Sequence, residues 1–470
     1  MKSRTEGKMK RSTAWQSGVT VLGVVLLVVV CGTSDDALAQ PQGFVLEPLA
    51  FLGDPAPGGG TFFGVFESNM INNRGDVLFG SNLTSEADAG VFLLRKGVTE
   101  EIARSGEPAP GGGVFVSPGF LSPLALNNKG DAGFGFVLEP LSFPAGLNAG
   151  VYRFSRQTHT LSPVIIPEVT EVPGGGVFKG AHFGASLNDR GDLAFPGIVA
   201  TDKGIPFPEH LGLGVGIFRA NKKGTISNVV IPGDAAPGGG TFDFAAAPWI
   251  NNRGDLAFMG HVAGEECLPD SGFPPPFIVI LCLTGVYAKD TATGEIRSIA
   301  LAGDPAPGGG VYRQATSPVL NNQGDIVFLG DLTPSPAAHQ VTGVYLHSQG
   351  ETIPVARPGD PMPGGGRLVT AAHITGWEIH VNNPGDVVFN AAVDTDDNGD
   401  GVLDTGLFVW SHGTLRLVAR TGTDIPGVGT IAHLIMNVPV TSPPPVLVPN
   451  SGANNNDLSL IHISEPTRRS

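Results

Sequence analysis

Asn72-Asn73-Arg74-Gly75-Asp76-Val77-Leu78-Phe79 is the first of six segments with the pattern Asn-x-x-Gly-x-x-x-Phe. The other five fix Asn127/Gly130/Phe134, Asn188/Gly191/Phe195, Asn251/Gly254/Phe258, Asn321/Gly324/Phe328 and Asn382/Gly385/Phe389. Ahead of each copy stands Pro-Gly-Gly-Gly, beginning at Pro57, Pro110, Pro173, Pro237, Pro307 and Pro363. A motif that returns every 53 to 70 residues marks a repeat architecture, in which each unit buries its apolar face on the next.

Within the first unit the residues dictate strands and turns. Thr61 to Ile71 is apolar and β-prone, and Asn72 to Gly75 supplies turn residues able to take positive φ. Asp76–Leu83, Gly90–Leu94 and Thr99–Arg104 read as three further strands, with a turn at Lys96-Gly97. The same order returns at Gly285-Val286-Tyr287 and Gly343-Val344-Tyr345, followed by Arg297–Ala300 and Ile353–Ala356. Four short antiparallel strands per unit, with no sustained helical period, predict an all-β fold: a β-propeller of four-stranded blades. A degenerate seventh linker at Ile425-Pro426-Gly427-Val428-Gly429, and a strand-like stretch from Gly43 to Gly53 ahead of the first linker, predict seven blades. The last would be incomplete in this chain and would take its fourth strand from the N-terminal stretch, closing the ring and removing its edges.

The 68 glycines and 40 prolines of the 470 residues recur in register, so they punctuate strands and are not low complexity. Residues 1–39 read as a secretory signal: Lys2, Arg4, Lys8, Lys10 and Arg11, an apolar run from Gly18 to Cys31, then Ala37-Leu38-Ala39 before Gln40. The apolar run is too short to favour a transmembrane span, and Val30 is a poor fit to lipid modification of Cys31. Residues 458–470, from Leu458-Ser459-Leu460-Ile461-His462, share nothing with the repeats and resemble translated sequencing-adapter DNA. The propeller is therefore expected over residues 40–457. The net charge is −15, a poor match to phosphate backbones, so nucleic acid is not an expected partner.

Asn-x-x-Gly-x-x-x-Phe, matched at all three fixed positions in six copies, resembles a family of exported bacterial tandem-repeat proteins of the choice-of-anchor type. Some of its members end in alternative surface-anchoring signals. The resemblance covers about residues 43 to 457. It implies an exported, surface-associated β-repeat protein and brings no catalytic residues with it.

Asp394-Thr395-Asp396-Asp397-Asn398-Gly399-Asp400-Gly401-Val402-Leu403-Asp404 carries the acidic half of a calcium loop. Counted from Asp396, oxygen ligands fall at positions one, three, five and nine, and glycine at six. Leu407 stands where the bidentate glutamate would be, and the loop joins two strands, not helices. The expected ion is a structural Ca²⁺ held by Asp396, Asn398, Asp400 and Asp404, with Asp394 beside them; the bland reading is a solvated acidic turn. After leader removal Cys267 and Cys282 remain, bracketing an insertion, and in an oxidising compartment they are expected to pair.

Other motifs read as structure. Arg-Gly-Asp occurs at Arg74, Arg190 and Arg253, but its equivalents hold Lys129, Gln323 and Pro384, so the arginine is a free turn position. Pro-Gly-Gly-Gly lacks the Gly-Lys-Ser/Thr ending of a phosphate loop and is expected to make a tight crossing between blades. The acids before it, Asp54, Glu107, Asp234, Asp304 and Asp360, are expected to bond within their own turns. There is no His-Glu-x-x-His, no Gly-x-Ser-x-Gly elbow and no Cys-x-x-Cys, and the trio His373, Trp377 and His380 is weak evidence by itself. The function expected is a non-enzymatic binding module for an extracellular ligand, glycan or protein. The alternatives are a propeller hydrolase or lyase acting on polysaccharide, and a structural surface spacer.

Overall fold

In the computed structural model each repeat becomes one antiparallel meander of four strands, and a parallel pair, Val215 with Phe244, joins the third meander to the fourth. Residues 25–31 and 44–434 are described, apart from 66–68, 85–88, 118–123, 140–148, 183–184, 204–212, 266, 269–280, 334–341, 372–378, 400, 426–428 and 432–433. Most of the expected leader and the residues after 434 lie outside them. Blade one runs Phe62–Val65 with Met70–Ile71, Val77–Leu83, Ala89–Arg95 and Val98–Arg104, each strand bonded to the next. Blade five repeats the plan with Val311–Leu320, Ile326–Thr333, Thr342–Ser348 and Glu351–Ala356. Among the described residues there are six such units and no helix. The fold is a β-propeller.

Why these residues form blades is clearest in the core. The repeated Phe of the second strand is fully buried in every copy: Phe79, Phe134, Phe195, Phe258, Phe328 and Phe389. It stacks on a ring from the third strand, as in Phe258–Tyr287 at 5.6 Å and Phe328–Tyr345 at 5.7 Å. A first-strand ring meets the pair edge-on, Phe242 on Tyr287 at 4.9 Å and Tyr312 on Tyr345 at 5.0 Å. Such clusters add about 0.5–1.5 kcal/mol per pair beyond simple burial. Blade six keeps only Phe389–Phe408, with Leu368 packed in the same core. The glycine two residues before the third-strand ring makes room for it: a Cβ on Gly406 would sit 2.6 Å from Phe408.

The linker also has a definite shape. Pro55 bridges Thr61, and Ala56 exchanges backbone bonds with Gly59 and Gly60, so Pro-Gly-Gly-Gly is the tip of a small hairpin. Gly58, Gly59 and Gly60 all take positive φ (80°, 108° and 75°), while a Cβ on Gly59 would meet nothing within 4 Å. At the middle position conformation, not crowding, therefore demands glycine. The four aspartates before it bond locally, Asp54, Asp234, Asp304 and Asp360 accepting from Phe51, Ile231, Leu301 and Arg357 N at 2.8–2.9 Å. At the end of the fourth strand, Arg104, Arg357 and Arg420 each donate back to a carbonyl of their own blade's glycine run.

The strand Phe44–Phe51 joins the two ends of this series. Phe44 and Leu46 pack with Val388, Leu407, Val409 and Ala419 of blade six, and Ala50 packs with Phe62, Ile71 and Phe79 of blade one. Asp424–Ile425 and Gly429–Thr430 pair at the degenerate linker, and Ile425 joins the same core as Phe44. Val25–Cys31, inside the expected leader, runs antiparallel against Phe44–Phe51.

Candidate binding site on the turn face

The repeated asparagine owes its place to hydrogen bonding and not to φ. Among the described turn residues glycine takes the positive φ (Gly75, 75°), whereas none of the six asparagines does. Asn188 is buried; its Oδ1 accepts from Arg190 N at 3.0 Å and Asp192 N at 2.9 Å. Its Nδ2 donates to Asp192 Oδ2 at 3.3 Å and to the carbonyl of Asn251, the same residue one blade on, at 3.0 Å. The equivalent bond runs from Asn72 to Asn127, Asn127 to Asn188, Asn251 to Asn321 and Asn321 to Asn382. Each repeat thus reads the backbone of the next.

The residue after each asparagine builds a second ladder. Backbone N–H groups of Asn73, Asn128, Asp189, Asn252 and Asn322 donate to the side-chain oxygen of Asn128, Asp189, Asn252, Asn322 and Asn383 in turn, at 2.7–3.0 Å. Asp189 also accepts from the side chains of Asn128 and Asn252. The six turns surround an axial cavity of about 140 Å³. That is room for a few waters, and its amides are largely committed to the ladders.

Trp249 reaches this axis because the innermost strand is bulged. The register slips between Ala246 and Trp249 in blade four and between Thr316 and Val319 in blade five, with Ala247 and Ser317 at φ of 49° and 56°. A bulge of this kind re-aims a side chain. Trp249 lines the axial cavity and meets His380 of blade six edge-on at 5.8 Å.

A larger cleft, about 670 Å³, opens on the same face across blades four to six. Its size lies within the range of small-molecule sites. Arg253 and Arg297 come from blade four, Asp325 and His347 from blade five, Trp410 and His412 from blade six. Arg297 Nη1 donates to His347 Nε2 at 3.1 Å, and His347 Nδ1 lies 2.9 Å from Thr352 Oγ1. A guanidinium cannot accept, so Nε2 is the bare nitrogen and Nδ1 carries the proton. Burial, then the Arg297 charge, hold the His347 pKa below its ordinary value, consistent with a neutral ring. Asp325 is occupied by Asn321 at 2.7 Å and Ser348 at 2.5 Å, and Arg253 by Asp255 at 2.8 Å.

The sequence-expected sites are separate from this cleft. In the acidic loop Asp404 is fully buried, and its Oδ2 accepts from Thr395 Oγ1 (2.6 Å), Asp397 N (3.1 Å) and Arg420 Nη2 (2.8 Å). Asp396 accepts from Gly401 N and Asp394 from Arg367 N, so these carboxylates order the loop itself. Asp400 lies outside the described residues. Among the described residues no group of three or more His, Cys, Asp or Glu is placed to hold a metal ion. Cys267 and Cys282 stand directly opposite each other across a two-residue ladder. His373 and Trp377 lie outside the described residues.

Sequence reasoning missed Arg297, His347 and Trp410. His347 and Trp410 both stand four residues after the third-strand glycine, where the other blades carry Leu94, Phe154, Ala220 and Lys289. The position varies from blade to blade, with Phe154 and Lys289 among its occupants, so nothing within the repeat singles out His347 and Trp410.

A model of a family of unknown function (DUF7453) matches residues 39–428, and the chain belongs to that family. No curated protein sequence matches it. Among solved structures it is similar to the β-propeller domain of the Trilobed protease from Pyrococcus furiosus (9% identity, 77% of this chain and 99% of that one, TM-score 0.37). It is also similar to an α-L-arabinanase of Penicillium chrysogenum (12%, 79% and 94%, TM-score 0.37). A third is PorZ, a surface component of the type-IX secretion system of Porphyromonas gingivalis (14%, 84% and 48%, TM-score 0.40).

Proposed function

We propose that this chain is an exported, surface-associated binding module whose ligand, a glycan or a protein, sits in the cleft across blades four to six. The observation that carries the reading is that cleft: a 670 Å³ opening that gathers side chains of three blades, beside an axial cavity too small and too committed to serve. Seven blades complete the proposal, with Phe44–Phe51 as the outer strand of the seventh. Its contacts with both blade six and blade one support this. The choice-of-anchor resemblance supplies the surface location. Among the described residues no helix is long and apolar enough to cross a membrane. The test is a binding screen of the purified chain against soluble glycans and surface proteins, repeated with Trp410→Ala. Wild-type binding that the variant leaves untouched removes the cleft from the reading. Mass spectrometry of secreted material should find Gln40 at the N-terminus. Cleavage there would also strip Val25–Cys31 from the edge of Phe44–Phe51.

One observation favours the hydrolase or lyase alternative. Near the opposite end of blade four, buried His261 Nδ1 lies 2.7 Å from Asp243 Oδ1, and in blade five burial raises the Asp331 pKa to about 6 against the lowering effect of Arg313. Loss of polysaccharide cleavage in His261→Ala, in a preparation that cleaves as wild type, would establish it.

Calcium and a disulfide belong to the same proposal as loop fasteners. Asp404 Oδ1 is buried without a hydrogen-bond partner, an acceptor suited to a cation, although Oδ2 is already neutralised by Arg420. Asp394, Asp396, Asn398 and Asp400 would supply the remaining oxygens. At about 10⁻⁴–10⁻³ M, typical of extracellular modules, calcium should raise the melting temperature of wild type but not of Asp396→Ala. No calorimetric heat with millimolar calcium rejects it. Thiol titration of the denatured secreted chain should find Cys267 and Cys282 unreactive until reduced.

A further inference from the structure

We propose that the cleft across blades four to six takes a saccharide bearing a carboxylate, with Arg297 gripping the acid and Trp410 stacking on a sugar face. The inference rests on the binding-module reading and names its ligand class.

Arg297 is exposed, and among the described residues it makes no ion pair. Its recorded partner is the bare nitrogen of His347, which fixes one edge of the guanidinium without neutralising it. A planar fork held this way keeps its other N–H donors for a bidentate acceptor, and carboxylate matches that geometry. Arg253 adds a second cation to the same wall, already balanced by Asp255. Asp325 in the same lining is held by Asn321 and Ser348, so selection for an anion rests on the Arg297 fork and not on a positive field over the whole cleft.

The rest of the lining narrows the class. Trp410 is half-buried, packed on the core of blade six and also lining the cleft, which presents an aromatic surface of the kind sugar rings stack on. Gln323, Gln349 and Asn383 bring amides that both donate and accept, as hydroxyl groups require. A protein partner would be expected to insert apolar anchors at the centre of its interface. Among the described residues the exposed large apolar ones, Phe63, Val98, Val114, Val169 and Val311, all lie outside the cleft lining.

The decisive experiment is calorimetry of the full chain at low salt with oligomers of galacturonate, glucuronate and mannuronate, their methyl esters, the free monomeric acids, and maltotriose. At least one oligouronate is expected to bind about tenfold tighter than its methyl ester, the effect of one charge-assisted contact. Arg297→Gln should bring acid and ester within about twofold, whereas Trp410→Ala should weaken both about tenfold. Melting temperatures confirm that both variants fold. Monomers binding as tightly as oligomers would make the ligand a small acid, with the carboxylate contact retained. Equal binding of acid and ester overturns this inference while leaving a saccharide-binding module. No saccharide binding at millimolar concentration overturns it outright, and a protein ligand then becomes the surviving form of the module reading.

Discussion

The two ends of the ring are built on different terms. At the turn end, the same asparagine makes the same bonds in blade after blade, each donating to the backbone of its own counterpart one repeat further on. Toward the other end, the position three residues after the repeated Phe holds Asn82, Val137, Ile198, His261, Asp331 and Ala392. Most of these are buried, but they share no chemistry. Each copy must keep its own asparagine, because one side chain both accepts from its own turn and donates to the next backbone carbonyl, an acceptor that any residue could supply. A contact between unlike strands needs only to suit one neighbour. Ile198 clusters with Phe244 and Ala246 of the next blade, while His261 faces Asp243 within its own.

The largest effect expected from this contrast is at the ladder. Asn188→Ala removes four hydrogen bonds and strands the Asn251 carbonyl and the N–H groups of Arg190 and Asp192. A loss of about 3 kcal/mol in unfolding free energy is expected, since each unsatisfied buried group costs about 1–3 kcal/mol. Ile198→Val, at the variable end, should cost about 0.5–1.5 kcal/mol. Urea denaturation of both variants makes the comparison. Equal losses would mean that the repeated asparagine does no more than an ordinary core residue.

A smaller effect tests the variable end directly. Asp243 and His261 are both buried and only 2.7 Å apart. A double-mutant cycle with Asp243→Ala and His261→Ala should give a coupling of about 1–2 kcal/mol, typical of contacting buried partners. Strict additivity would show that this end tolerates variety because its pairs carry little energy, and the account of one neighbour suiting another would fail.

How far the sequence could be read follows the same division. Strand positions in blade one are foreseen to within a residue or two, because apolar runs, turn glycines and a core Phe each announce themselves locally. The purpose of the asparagine was not legible. Its main partner lies 55 to 70 residues away, and nothing local distinguishes a residue that bonds its counterpart from one that merely turns the chain. The calcium loop could be proposed from spacing, but Arg420, which neutralises Asp404 from the fourth strand, belongs to no loop pattern. The cleft was invisible for another reason: Arg297, His347 and Trp410 come from three consecutive blades, and only the packing of one blade beside the next brings them together.

Acid sharpens the comparison, because two groups away from the turn face, half-buried His182 and buried Asp331, pull in opposite directions. Burial lowers His182, edge-on to Phe244 at 5.4 Å, to a pKa of about 3. Between pH 3 and 6.5 the unfolded chain therefore binds more protons at this residue, and stability rises with pH across that window. Burial raises Asp331 to about 6. Between pH 3.8 and 6 the folded chain binds more protons there, and stability falls as pH rises. Where the windows overlap the slopes oppose. His182→Phe should remove only the first, so its stability relative to wild type should fall by up to about 1.4 kcal/mol per pH unit from pH 4 to 6. Asp331→Asn should show the reverse. Melting curves at half-unit intervals read both, and a pH-independent difference in either variant would mean that the group is not titrating as its burial requires.

The smallest effect belongs to the arginines of the turn face. Arg190 is half-exposed and lies 3.6 Å from Asp192 two residues on, so its tripeptide pairs with itself before any receptor is considered. Arg190→Ala should change unfolding free energy by less than about 0.5 kcal/mol, as for exposed pairs generally. It should also leave cell adhesion at the wild-type level, because Lys129 and Gln323 fill the same turn position without disturbing the ladder. A marked loss of adhesion in Arg190→Ala, with stability unchanged, would break the rule that the turn arginines outside the cleft are framework. It would give the arginines a partner that the turn geometry alone does not require.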